Sequence, residues 1–149
     1  MQKEALISLI KIILNEKILN LNKDINSLKE SQKNDTKSSM GDKYETGRAM
    51  IQLELEKYHS RLNNNKEMLS YLLKINPKLE TKTIQSGSLI KTNHGWFFIS
   101  IGIGKVTLEN NIEVIVLSPI SPLGRMFLNK SKNKSFDFQK RQYQIIEAY

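Results

Sequence analysis

Residues Ser38 to Arg48 read Ser-Ser-Met-Gly-Asp-Lys-Tyr-Glu-Thr-Gly-Arg and set two carboxylates, Asp42 and Glu45, three positions apart between Gly41 and Gly47. At helical spacing both acids lie on one face. Two hard oxygen donors that converge at an exposed turn supply part of a Mg²⁺ coordination sphere, or position a water, when another molecule brings the remaining ligands. Alone they make an incomplete site. The same residues also have a purely structural reading. An acidic residue at a helix start followed three residues later by Glu is a capping-box arrangement, and both charges favour the positive end of the helix dipole. The spacing leaves both readings open.

Few other residues compete for a chemical role. The chain has no cysteine, which removes disulfides, thiolate metal sites and a cysteine nucleophile. Its two histidines stand apart, His59 among polar residues and His94 beside Gly95, with no acidic or serine partner at relay spacing. Trp96, Phe97 and Phe98 offer aromatic faces that stack on nucleic-acid bases, yet alternation along a strand sends neighbours to opposite faces and favours core packing. Lys130, Lys132 and Lys134 form a basic cluster that suits weak contact with nucleic acid, DNA included, or an acidic protein, and equally suits a solvated loop. Gly102 and Gly104 lack the following helix that a dinucleotide fingerprint needs, and mark a bulge or turn.

Net charge is +8, of which +3 falls in residues 1–77 and +5 in residues 78–149. That excess is spread thinly, without a dense Arg-rich block, and fits a polyanionic partner or a solubilising surface. The first apolar run, Leu6 to Leu14, is broken by Lys11 and too short to span a bilayer. The expectation is a cytoplasmic protein with no membrane contact.

The elements that must position the acidic pair follow from periodicity. Ile7, Ile10, Leu14, Ile18, Leu21, Ile25 and Leu28 recur in steps of three and four, one face of a helix. After a polar segment, Ser31 to Met40, the same steps return at Ile51, Leu55, Tyr58, Leu62, Asn65, Leu69 and Leu72, a heptad seam with one polar member. Two such helices joined by a short polar connection fold back as an antiparallel coiled-coil hairpin over residues 1–77, closed by Pro77, and about 30 residues per arm makes roughly 45 Å. An intermolecular coiled coil shares the pattern; the matched seam lengths favour the hairpin, and with it a monomer.

From Ile84 onward the pattern changes to short β-rich runs at Ser88–Thr92, Trp96–Ile103, Ile112–Leu117 and Gln142–Ile146. Between the last two, Ser121 as N-cap, Pro122 at the first position and Leu123, Met126, Phe127 and Leu128 predict one short helix. The fold class is therefore α+β: the hairpin, then an antiparallel β domain with one helix over residues 78–149.

At this point the chain resembles the Gre-type transcription elongation, or transcript-cleavage, factors, a GreA/GreB-like family. Gly41-Asp42-Lys43-Tyr44-Glu45 matches the Gly-Asp-x-x-Glu carried at the tip of that family's coiled coil. Ser121-Pro122-Leu123-Gly124-Arg125, then Leu128-Asn129-Lys130, then Tyr143-Gln144-Ile145-Ile146-Glu147 follow the order of its FKBP-like C-terminal domain. The family's Asn-Ala-Glu-Tyr after the acidic pair is replaced here by Thr46-Gly47-Arg48-Ala49.

The resemblance implies a coiled coil that enters the secondary channel of RNA polymerase and a C-terminal domain that anchors at the rim through Ser121, Pro122 and Leu123. It implies that Asp42 and Glu45 assist in trans, sharing a Mg²⁺ held mainly by the polymerase, for hydrolysis of backtracked RNA whose 3′ end is met only indirectly. Lys43 and Arg48 would steady phosphates or polymerase carboxylates. The protein would not be an enzyme by itself. Three other readings stand beside this one: a channel-docking regulator or inhibitor without cleavage stimulation, a coiled-coil interaction module whose acids only cap a helix, and a basic nucleic-acid binder that binds without polymerase. A prolyl isomerase would need an aromatic-lined pocket, which the sequence does not demonstrate.

Overall fold

The computed structural model describes residues 3–35 and 41–149, and of Asp35 and residues 41–44 the backbone alone. Two long helices, α1 (Lys3–Asp35) and α2 (Gly41–Leu73), have 33 residues each. At 1.5 Å per residue each is about 50 Å long. There follow β1 (Leu89–Thr92), β2 (Gly95–Ile99), β3 (Gly104–Thr107), β4 (Glu113–Leu117), α3 (Pro122–Phe127), β5 (Ser135–Phe138) and β6 (Arg141–Ala148). The chain divides into two compact units, residues 12–69 and a second one built from Met1–Lys11 and Ser70–Tyr149. Among the described residues no helix is long and apolar enough to cross a membrane.

In the helical unit, Leu21 and Ile25 of α1 bury against Leu55 and Leu62 of α2, with Ile18, Leu28, Ile51 and Tyr58 packed around them. These are the heptad positions anticipated from the sequence, and they close an intrachain hairpin. The polar member, Asn65, donates its amide to the Arg61 carbonyl at 2.8 Å, while its buried Oδ1 has no partner among the described residues. One expectation is corrected: residues 31–35 continue α1. No Gly or Pro interrupts Ser31-Gln32-Lys33-Asn34-Asp35, Gln32 extends the seam four residues beyond Leu28, and polar side chains alone do not end a helix. The remaining connection, residues 36–40, lies outside the described residues.

The second unit carries a six-stranded sheet of order β3-β4-β2-β1-β6-β5. All neighbours are antiparallel except β2 and β4, which run parallel with Trp96 opposite Val114 and Ile99 opposite Leu117. The single run expected over Trp96–Ile103 is in fact β2 followed by a turn. Gly104, at φ +82°, lets the chain reverse into β3. The chain then reverses again into β4, which inserts between β3 and β2. Two reversals restore the starting direction, hence the parallel pair within an otherwise antiparallel sheet.

One sheet face holds Ile90, Phe97, Ile99, Leu117 and Ile145, covered by Phe127 of α3 and by Phe136 and Tyr143. The aromatic rings meet edge-on between Phe127 and Phe136 (5.0 Å, 89°) and stacked between Phe136 and Tyr143 (5.2 Å, 9°), both favourable quadrupole geometries. Leu89, Phe98, Val114 and Val116, on the opposite face, are equally buried. The same unit contributes Leu6, Ile7 and Ile10 from the start of α1 and Leu72 from the end of α2 as buried apolar side chains. Next to them Lys3, 9% exposed, donates its ammonium to the carbonyls of Leu79 (2.8 Å) and Gly87 (3.2 Å).

α3 forms as the sequence predicts. Ser121 stands in extended backbone as N-cap, its Oγ accepting from Gly124 N, with Pro122 at the first helical position. Gly124 is required by close approach, because its face presses on the Ser118 carbonyl. The segment is tied back to the sheet domain by Ile84 N to Lys130 O (2.7 Å) and Asn129 N to Ile84 O (2.9 Å).

Candidate functional site at the hairpin turn

α2 begins at Gly41, so Asp42 and Glu45 are its second and fifth residues. A continuous helix puts positions three apart on one side, with Cβ atoms about 5–6 Å from each other. A capping box would instead hold Asp42 outside the helix as the N-cap; here Asp42 already has helical backbone. The side chains of Asp42 and Lys43 lie outside the described residues.

Glu45 and Arg48 are exposed, and with Ala49, Gln52 and Gln32 of α1 they surround an open depression of about 490 Å³. Gln32, near the last turn of α1, thus stands beside the first turns of α2, as an antiparallel pair requires. Among the described residues neither Glu45 nor Arg48 takes part in an ion pair; the pairs formed are Lys105 with Glu113 and Lys132 with Glu147. No partner among the described residues takes up the acceptor capacity of Glu45. Among the described residues no three His, Cys, Asp or Glu side chains converge on one point. One or two carboxylates satisfy a minor share of the six oxygen positions of Mg²⁺, so the turn fits a metal only as an auxiliary ligand set.

Of the residues expected to contact a partner from the β domain, Ser121 uses its hydroxyl internally, accepting from Gly124 N (3.1 Å) and donating to Ser118 O (2.7 Å). Leu123 packs against the core. Pro122 is exposed, and beside it Ile120 is 73% exposed, the most exposed large hydrophobic side chain among the described residues. Sequence reasoning passed over Ile120; its signal was an isolated Ile in the Pro119-Ile120-Ser121-Pro122 turn, with no periodic partner to bury it.

The other candidates resolve into structure. Phe97 and Phe98 enter opposite cores, and Trp96 stacks on Tyr149 (6.3 Å) beneath the Lys91 ammonium (5.7 Å), so the three rings form no continuous platform. Lys130 caps the Met126 carbonyl and lies 5.1 Å over the Phe136 ring, and Lys132 pairs with Glu147. His94 is 2.9 Å from the Gln142 carbonyl, edge-on to Tyr143. His59 is exposed on α2.

No family model matches the chain, and no curated protein does. Among solved structures it is similar to that of the transcription factor Gfh1, with 14% sequence identity and a TM-score of 0.39 over 93% of this chain and 92% of that chain, a likeness too low to decide fold or function.

Proposed function

We propose that the chain is an RNA polymerase-binding elongation factor whose helical hairpin enters the secondary channel and promotes Mg²⁺-dependent cleavage of backtracked RNA. The observation that carries this reading is Glu45, exposed and free of any cation partner among the described residues, three residues after Asp42 in the first turns of α2. The motif Gly41-Asp42-Lys43-Tyr44-Glu45 and its resemblance to the Gre tip support it. The polymerase owns the active centre in this proposal. Bound Mg²⁺ would supply Lewis-acid polarisation of the phosphate and a water of lowered pKa. Asp42 and Glu45 would be the residues of this chain that hold it, while Arg48 would face nearby phosphate or carboxylate groups. Ile120 and Pro122 are the surface through which the β domain would anchor.

A second reading, a channel-docking regulator without cleavage stimulation, is favoured by one feature. Arg48 shares the depression with Glu45, and a guanidinium beside a metal-assisting carboxylate opposes cation binding electrostatically. RNA cleavage in stalled, backtracked polymerase from the source organism, at fixed Mg²⁺, separates the two. Stimulation by the native chain that disappears in Asp42→Ala/Glu45→Ala is the outcome expected for the first reading; polymerase binding without stimulation in either protein leaves the second.

A further inference from the structure

The unit built from Met1–Lys11 and Ser70–Tyr149 contains a cavity of about 300 Å³, walled by Lys3, Tyr71, Lys74, Asn76, Gln85 and the segment around Gly87. Its lining is chemically one-sided: two lysines, several hydroxyls and two amides, with no Asp or Glu. Lys3 is nearly excluded from solvent, yet it makes no ion pair among the described residues, and its ammonium has two acceptors, both backbone carbonyls. An ammonium has three donors, so one is left over. Lys74 lines the same space from an exposed position and has no polar partner among the described residues. The side-chain amide of Gln85 is likewise unused among the described residues. By contrast the hydroxyls of Tyr71 and Ser86 bond each other, and Ser88 Oγ accepts from Gln85 N.

The direct acceptors of this buried cation are neutral dipoles and the nearby Glu80 offsets its burial only in part, so a cost remains that falls when an anion completes the arrangement. We propose that this cavity binds a small oxyanion, a phosphate monoester or a carboxylate, held between the ammonium groups of Lys3 and Lys74 with the Gln85 amide as a further donor. Charge-assisted hydrogen bonds from two ammonium groups give such a site its affinity, and Ile75 and Leu79 are the apolar part of its lining. The site is independent of the acidic pair on α2 and of any metal there.

The test is a titration of the full chain with inorganic phosphate and, separately, with succinate at constant ionic strength, followed through the backbone amide resonances of Ser86, Gly87 and Ser88. Saturable shifts confined to this segment are expected, and whichever anion saturates at the lower concentration identifies the headgroup. Lys74→Gln, on the exposed rim, should weaken the response about tenfold without unfolding the protein, as the loss of a charge-assisted contact does. Lys3→Met should weaken it at least as much, and Lys91→Gln should change nothing. Shifts that rise without saturating for both anions, or saturation that Lys74→Gln leaves unaltered, would overturn the proposal.

Discussion

A Cβ placed on Gly124 would stand 2.0 Å from the carbonyl oxygen of Ser118, with the Ser121 hydroxyl at 2.7 Å. Backbone, not a flexible side chain, blocks that position. Gly124→Ala must therefore shift the turn before α3 and is expected to cost about 3 kcal/mol, an overpacking cost with part of the cap lost. Urea unfolding should show a lower midpoint at unchanged slope.

Ser121→Ala separates capping from partner contact. Loss of the hydroxyl that accepts from Gly124 N costs about 1 kcal/mol, whereas Ser121→Thr, whose hydroxyl can still accept from Gly124 N and donate to Ser118 O, should keep stability. On the proposed reading, polymerase binding that follows stability across these two variants means that Ser121 acts through the helix, and Ile120→Ser should lower binding with little change in the unfolding midpoint.

Asn65 occupies the hairpin seam with an unpartnered Oδ1. Asn65→Leu removes a buried polar atom and should stabilise the chain by about 1 kcal/mol. The polar seam residue also fixes register, so the variant is expected to populate alternative pairings. Sedimentation velocity checks this: more self-association than the native chain at equal concentration.

Burial lowers the pKa of Lys3, and Glu80 raises it by a smaller amount, leaving it below the usual 10.5. Lys74 and Tyr71 are the other ionisable groups lining the cavity. In the window between the lowered folded value and 10.5 the unfolded chain binds more protons, so stability rises with pH there, and at lower pH the cost of burying the charge is fully present. Lys3→Met should flatten that alkaline rise, measured as unfolding free energy against pH.

The β5–β6 hairpin turns on Gln139 (φ +48°) and Lys140 (φ +64°), both left-handed. Two positive φ values in a two-residue loop are the signature of a type I′ turn, which Asn-Gly suits far better. Gln139→Asn/Lys140→Gly should raise stability by about 1 kcal/mol, read as a higher melting temperature.

That turn also explains what the sequence hid. β5 went unseen because Gln-Lys carries no turn signal and Ser-Phe-Asp-Phe is too short to show a period. The β2 run was extended to Ile103 because Ile99, Ile101 and Ile103 continue the alternation through the bend at Gly102, and β3, Gly104-Lys105-Val106-Thr107, was missed as too short to show a period. The helices, by contrast, were legible, since Leu21, Ile25, Leu55 and Leu62 must share a buried seam, and α3 was legible because Ser121-Pro122 is a strong local start. Asp42 and Glu45, which the structure places in the first turns of α2, were singled out by spacing. The oxyanion cavity was not, because Lys3 and Lys74 are 71 residues apart in sequence and meet only through the folding of both helix ends into one unit.

That discontinuity has a consequence for how the chain can vary. Residues 12–69 are an excursion that leaves the sheet-bearing unit and returns to it. Removing one heptad from each helix at matched seam positions shortens both arms by about 10 Å and keeps the phase of every remaining seam residue. Neither Lys3 nor the sheet is touched by such a change. Arm length is thus a modular quantity, adjustable in seven-residue steps separately from the domain that bears the arms.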